Sequence, residues 1–259
     1  MNDMRKLNFQ YLLILTSLVV LVSCQQEPSL IVHENPAASG FNVEASDAQA
    51  IEIADNVMQA MGGRKAWDTS RFIQWTFFGR RIHIWDKLEH RARIDVPSDS
   101  LTVIFNLKDQ TGRVKSKGVE ITHPDSVLNY VGMAYRWWIN DSYWLVMPFK
   151  LKDSGVTLKY LGESKTTLEK QAELLELTFQ EVGVTPDNKY WIYVDPQTKL
   201  VTQWDYFPNY ADTIARFQSP WPDYQQYGDL LLSGGQIAGN KLTGIAVSQS
   251  VKGAPFESL

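Results

Sequence analysis

The run FIQWTFFGRRIHIWD, residues 72–86, decides the fold. Ile73, Trp75 and Phe77 fall on one face of an alternating segment, with Gln74 and Thr76 on the other. From Arg80 to Asp86, Ile82 and Ile84 alternate with Arg81, His83 and Trp85. Period-two alternation in β-branched and aromatic residues is the mark of strands, and two such runs in immediate succession predict an antiparallel pair.

Downstream the pattern repeats. His90–Val96, Leu101–Leu107 and the more polar Gly112–Val119 extend a meander. A second meander is expected at Val156–Leu161, Ala172–Val182, Tyr190–Asp195 and Leu200–Phe207, with Asp195-Pro196-Gln197-Thr198 as a turn. Between them, Val127, Leu128, Val131, Ala134, Tyr135 and Trp138 recur at helical spacing from Pro124 to about Asn140, with Asp125 near the start as a cap. Ser142–Phe149 continues as a separate aromatic segment. Upstream, Ser46 is positioned to cap a helix running to about Met61, which Gly62-Gly63 stops. After Tyr210 the chain is rich in Pro, Gly and Gln and is left without assignment, apart from a closing strand at Val247–Val251. The predicted class is α+β: one curved antiparallel sheet with helices on its concave side.

Residues 1–45 read differently. Arg5 and Lys6 precede the apolar run YLLILTSLVVLV at 11–22, and Ser23 leads to Cys24, the only cysteine among 259 residues. A dozen apolar residues are too few to span a bilayer and suit a signal peptide. Leu21-Val22-Ser23-Cys24 resembles the lipobox of bacterial lipoproteins, which implies cleavage before Cys24, acylation of its sulfur and amino group, and anchorage to a membrane. Gln25, where that family can carry aspartate, fits sorting to the outer membrane, facing the periplasm. Residues 24–45, with Pro28, Pro36 and Gly40, are expected to form a tether, leaving 46–259 as one domain with an extension from about 210.

Removing residues 1–23 makes the net charge one more negative than the −4 of the full chain, since Arg5 and Lys6 leave with Asp3. No basic block is present, so no nucleic-acid partner is expected. With Cys24 acylated no disulfide is available, and packing must hold the fold. Nine tryptophans and eleven tyrosines supply apolar area with a polar handle.

Four stretches carry a resemblance to the LolA/LolB-like superfamily of outer-membrane lipoprotein-sorting proteins: MGGRKAWD (61–68), residues 72–86, YWLVMPFKLKDSGVTLKYLG (143–162) and YWIYVDPQTKLVTQWDYF (190–207). It covers roughly Asp47–Phe207. The resemblance implies a half-open β-barrel with helices as a lid over an apolar cavity that takes acyl chains. The surroundings of Trp137-Trp138 and the segment after Tyr210 have no counterpart in the family.

The candidate ligand-binding residues are Trp75, Phe77, Trp85, Trp137, Trp138, Trp144, Trp191 and Trp204. Taken singly, each ring is more often ordinary core. Collectively they suit the wall of a cavity for a lipid or acyl chain. Trp137 and Trp138 point about 100° apart on a helix, so one of them is expected to face a cavity, a membrane or a partner. His83, Asp86 and His90 lack zinc-ligand spacing, no G-x-S-x-G elbow occurs, and neither glycine pair is a phosphate loop. No enzyme, metal or cofactor is expected. His83 is read as a solvated or hydrogen-bonded histidine, and Arg80, Arg81, Arg91 and Arg93 as a solvated outward sheet face. Charges on both faces of several strands argue against a membrane β-barrel. The function expected is hydrophobic-ligand binding; the alternative is a non-catalytic anchored subunit gripping a glycan or a protein partner.

Overall fold

The computed structural model describes residues 35–180, 183–235 and 239–259. Cys24 and the signal-peptide reading lie outside the described residues.

Alternation along residues 72–86 produces β1 (Phe72–Phe77) and β2 (Arg81–Asp86), paired antiparallel with Trp75 opposite His83 and Ile73 opposite Trp85. β3 (Arg91–Val96), β4 (Leu101–Asn106), β5 (Gly112–Ser116) and β6 (Val119–Ile121) continue the meander. A second group comprises β7 (Val156–Lys165), β8 (Gln171–Phe179), β9 (Lys189–Val194) and β10 (Val201–Phe207). The segment beyond Tyr210 is structured: β11 (Phe217–Pro220) adds to β10, and β12 (Tyr224–Tyr227) pairs with β13 (Leu230–Ser233). The closing strand is β14 (Leu242–Ser248), earlier than its predicted position, and it lies beside β1.

The strands form a seven-stranded sheet ordered β14-β1-β2-β3-β4-β5-β6 and a five-stranded sheet ordered β11-β10-β9-β8-β7. Neither closes on itself. The α+β class and the open antiparallel architecture backed by a helix are as expected, with the strands divided between two sheets rather than joined in one.

Helix α1 (Ala48–Ala60) begins after Asp47, not on a Ser46 cap. Ser46 Oγ instead accepts from Leu158 N at 3.0 Å, and the Asp47 carboxylate accepts from Tyr160 N at 3.0 Å, so both residues tie the start of the helix to β7. Gly62 ends this turn with φ 116°, and a Cβ there would lie 2.2 Å from the Asp229 carbonyl oxygen. Only glycine permits both that backbone angle and that approach. The short α2 (Gly63–Thr69) follows directly.

Part of the expected tether is docked. Phe41 is buried in the main core, Ala38 N donates to Lys152 O at 2.9 Å, and Asn42 N donates to Val156 O at 3.0 Å. A segment without hydrophobic period can still be held by its backbone, which periodicity does not register.

Helix α3 (Pro124–Val146) is longer than predicted, taking in residues read as a separate aromatic segment. Its first half packs Val131 and Ala134 on Ile94, Val103 and Val114 of the seven-stranded sheet. Its last turns place Leu145 and Val146 in the main core with Leu175, Ile192 and Trp204 of the five-stranded sheet. One helix therefore serves both sheets. Among the described residues no helix is long and apolar enough to cross a membrane.

Of the four arginines read as a solvated face, Arg80 is exposed and Arg91 half-buried, whereas Arg81 and Arg93 are engaged in the fold. Arg81 turns inward. Arg93 Nη1 donates to the carbonyls of Pro255 at 2.8 Å and Ser258 at 2.7 Å, while Phe256 packs with Phe72 and Ile104. The end of the chain thus covers the outer side of β3 and β4, a contact invisible to local pattern because it joins residues about 160 apart in sequence.

Candidate functional site

Two features meet on the C-terminal half of α3: a cavity lined by Ile139, Tyr143 and Trp144, and a buried charged cluster centred on Asp141. The cavity has a volume of about 400 Å³, within the usual range for small-molecule sites of roughly 300–1,000 Å³. Strand alternation builds its sheet wall. Tyr190 on β9 stands opposite Tyr206 on β10, and Trp204 opposite Ile192, with all four on the face toward α3. The helix contributes Ile139, Tyr143 and Trp144. The rings brace one another: Tyr190 stacks on Trp204 at 5.1 Å, Trp144 meets Trp204 edge-on at 4.9 Å, and Trp144 stacks on Phe217 at 5.5 Å. Polar groups stand at one end, where the Tyr206 hydroxyl donates to Asn188 Oδ1 at 3.2 Å and Asn188 Nδ2 to Thr185 Oγ1 at 2.8 Å. Lys150 and Asp153 form an ion pair in the same lining. Burial raises the hydroxyl pKa of both Tyr143 and Tyr190 above the ordinary value, keeping them neutral.

Of the eight aromatic candidates, the structure brings Trp144 and Trp204 to this wall. Trp75, Phe77 and Trp85 are buried in the main core. Trp138 packs edge-on against Trp85 at 5.2 Å, and Trp137 lies against the Arg81 guanidinium at 5.1 Å. Trp191 faces the other side of its sheet, where Nε1 donates to Glu176 Oε2 at 3.1 Å. Tyr143, Tyr190, Tyr206, Phe179 and Phe217 belong to the lining and were not singled out. Stepping by two from Trp204 would have found Tyr206.

In the sequence His83 and Arg81 were weighed separately and Asp141 was not singled out; it joins them in a charged cluster. Asp141 is 0 % exposed, yet it carries a carboxylate. Arg81 donates to it twice, from Nε at 2.6 Å and Nη2 at 2.8 Å, a bidentate arrangement. His83 Nε2 approaches Oδ2 at 2.8 Å, and Asn140 Nδ2 donates to Oδ1 at 2.9 Å. Trp75, across from His83 in the β1–β2 register, stacks on the imidazole at 4.4 Å and 3°. His83 faces inward because β1 and β2 are in register and Trp75 faces inward. It is hydrogen-bonded, as one branch of the reading had it, but not solvated.

Burial pushes the His83 pKa below its usual value, although Asp141 pulls it upward. Burial also pushes Asp141 upward, but the hydrogen bonds from His83 and Arg81 outweigh it and hold the carboxyl below its usual range. Nδ1 of His83 has no partner among the described residues. A proton there would be an orphan donor, so the neutral Nε2–H tautomer fits, and Arg81 balances the Asp141 charge. The cluster is a clamp between β2 and α3. Among the described residues no group of three or more His, Cys, Asp or Glu is placed to hold a metal.

A pH dependence follows. The unfolded chain takes up a proton on histidine near pH 6.5, whereas folded His83 resists it. Below that pH the unfolded state binds more protons, so the His83 contribution is complete above about 6.5 and is lost as pH falls. The lowered Asp141 pKa acts with the same sign at still lower pH. The urea midpoint should therefore drop between pH 7.5 and pH 5, and His83→Gln should flatten that drop. An unchanged slope in the variant would remove His83 from the account.

No curated protein matches the sequence. Among solved structures, a DUF1329 family protein from Desulfovibrio piger ATCC 29098 is similar at 11% identity and TM-score 0.43, over 80% of this chain and 96% of that one. A candidate outer membrane lipoprotein-sorting protein domain from Vibrio parahaemolyticus overlaps at 9% identity and TM-score 0.41, again over 80% and 96%. MucB overlaps at 16% identity and TM-score 0.26, over 62% of this chain and 53% of its own. Overlap of this degree carries no function across. In sequence, residues 110–232 match DUF6503, a family of unknown function.

Proposed function

We propose that this protein binds a hydrophobic small molecule in the cavity between α3 and the five-stranded sheet, without performing chemistry on it. The observation that carries the reading is the cavity itself: about 400 Å³ of space left between aromatic walls that could have closed on each other. A concave cleft of this size, open to solvent and walled largely by apolar side chains, presents area that a hydrophobic ligand would cover. Acylated Cys24 would hold the protein at the membrane of the cell envelope, at the periplasmic side of the outer membrane, where lipids and other apolar metabolites are at hand.

The test is native mass spectrometry with solvent extraction on protein carrying Cys24→Ala, so that its own acyl chains cannot occupy the site. A stoichiometric apolar molecule, released by solvent and absent after delipidation, is the expected result. A clean mass combined with no uptake of added lipids or planar apolar probes would overturn the reading.

A further inference from the structure

We infer that the ligand is an amphiphile: its apolar body lies along the cavity, and its anionic headgroup, a carboxylate or a phosphate, is held by Arg136. The inference rests on the cavity reading above and adds the headgroup. Arg136, Ile139, Asn140 and Tyr143 fall at i, i+3, i+4 and i+7 of α3, so they share the helix face that lines the cavity. Polarity and exposure fall along that face. Arg136 and Asn140 are exposed, whereas Tyr143 and Trp144 are half-buried. Residues 136 to 144 cover about 12 Å of helix. A headgroup at Arg136 therefore leaves room for an apolar body against the two rings.

Charge selects the headgroup. The charged side chains in the lining are Arg136, Lys150 and Asp153, and the last two pair with each other. Arg136 has no hydrogen bond, ion pair or ring contact among the described residues. Arg64, Arg71, Arg81, Arg91, Arg93 and Arg113, by contrast, are all ion-paired. The Arg136 guanidinium lies back over Gly132, with Nη1 3.7 Å from where a Cβ on that glycine would stand, so no side chain one turn earlier covers it. The donors of a guanidinium form a fork that meets two oxygens of a carboxylate or phosphate at once. An uncharged headgroup gains nothing comparable there, and an ammonium is repelled. The chain as a whole carries a net charge of −4, so any attraction for an anion must be local.

Titration calorimetry at neutral pH on the full chain with Cys24→Ala tests this with four probes of one chain length, each below its micelle concentration: decanoate, decyl phosphate, decanol and decylammonium. At least one of the two anions should bind about threefold to tenfold more tightly than decanol, the worth of one partly exposed ion pair with bidentate geometry. Decylammonium should bind more weakly than decanol. Whichever anion is preferred distinguishes a carboxylate headgroup from a phosphate. Arg136→Gln should bring the anion-to-alcohol ratio close to unity, and Arg136→Lys should retain part of it. A residue that only shaped the rim would change all four affinities together. Equal affinity for anion and alcohol, or a ratio that survives Arg136→Gln, would overturn the inference while sparing the cavity reading. Binding of none of the four overturns the inference, and a clean native mass besides would take the cavity reading with it.

Discussion

Asp141→Ala is expected to lower the unfolding free energy by about 3–5 kcal/mol, the range for breaking a buried ion pair from one side. The loss is large because of what remains. The Arg81 side chain is 17% exposed and would keep its charge with no carboxylate opposite it. The His83 Nε2–H and the Asn140 amide would lose their acceptor as well. In a domain of this size the change amounts to a fall in Tm of about 2–4 °C for each kcal/mol. Urea denaturation of Asp141→Ala, Arg81→Ala and the double variant measures it. The double variant should be less destabilised than the sum of the two singles, since removing both charges leaves no uncompensated one. A single-variant loss below about 1 kcal/mol would mean that water reaches the cluster and that it behaves as a surface pair.

The second large effect concerns Trp204. Trp204→Ala should cost about 3–5 kcal/mol, as expected for truncating a buried aromatic side chain, and should abolish ligand binding. Trp204 is the ring against which Tyr190, Trp144 and Trp221 all pack, so its loss removes a wall shared by the core and the cavity. Because such a variant can bind poorly merely by being loosened, Trp191→Ala is the control. Trp191 lies one strand away but on the opposite face, with Glu176 and Phe207. It should lose some stability and retain ligand affinity within about twofold, which is within a few tenths of a kcal/mol. Comparable loss of affinity in both variants would place the site elsewhere.

The aromatic residues show how far local pattern reaches. Residues 72–77 and 201–207 are legible as strands because alternation is a property of the strand itself. Trp191 and Trp204 are both conspicuous in such strands, yet nothing in the composition of either ring distinguishes a cavity wall from the outer face. Their cross-strand register does: Trp204 pairs with Ile192, so Trp191 falls on the other side. In β2 the more apolar-looking residue, Ile82, is 39% exposed, and its neighbour His83 is buried. Both faces of that strand carry apolar residues, and only pairing with β1 chooses between them. Asp141 was legible in principle. Continuing the stripe Val131, Ala134, Trp138 by one more turn leads to Asp141 and then Leu145, all toward the core. A charged residue on such a stripe reads as the end of the helix until its partners on β2 are known.

By itself the sequence determined the order of α1, β1–β5, α3 and β7–β10, the α+β class and the aromatic character of the core, because propensity, periodicity and turn chemistry act over a few residues. Only the tertiary structure decided which faces turn inward, where the cavity lies, how Arg81 and His83 meet Asp141, and that residues 254–259 cover a basic sheet face. Those outcomes depend on the register between strands and on contacts between residues up to 165 positions apart, and no local period encodes which distant group will satisfy a buried charge or leave a space unfilled.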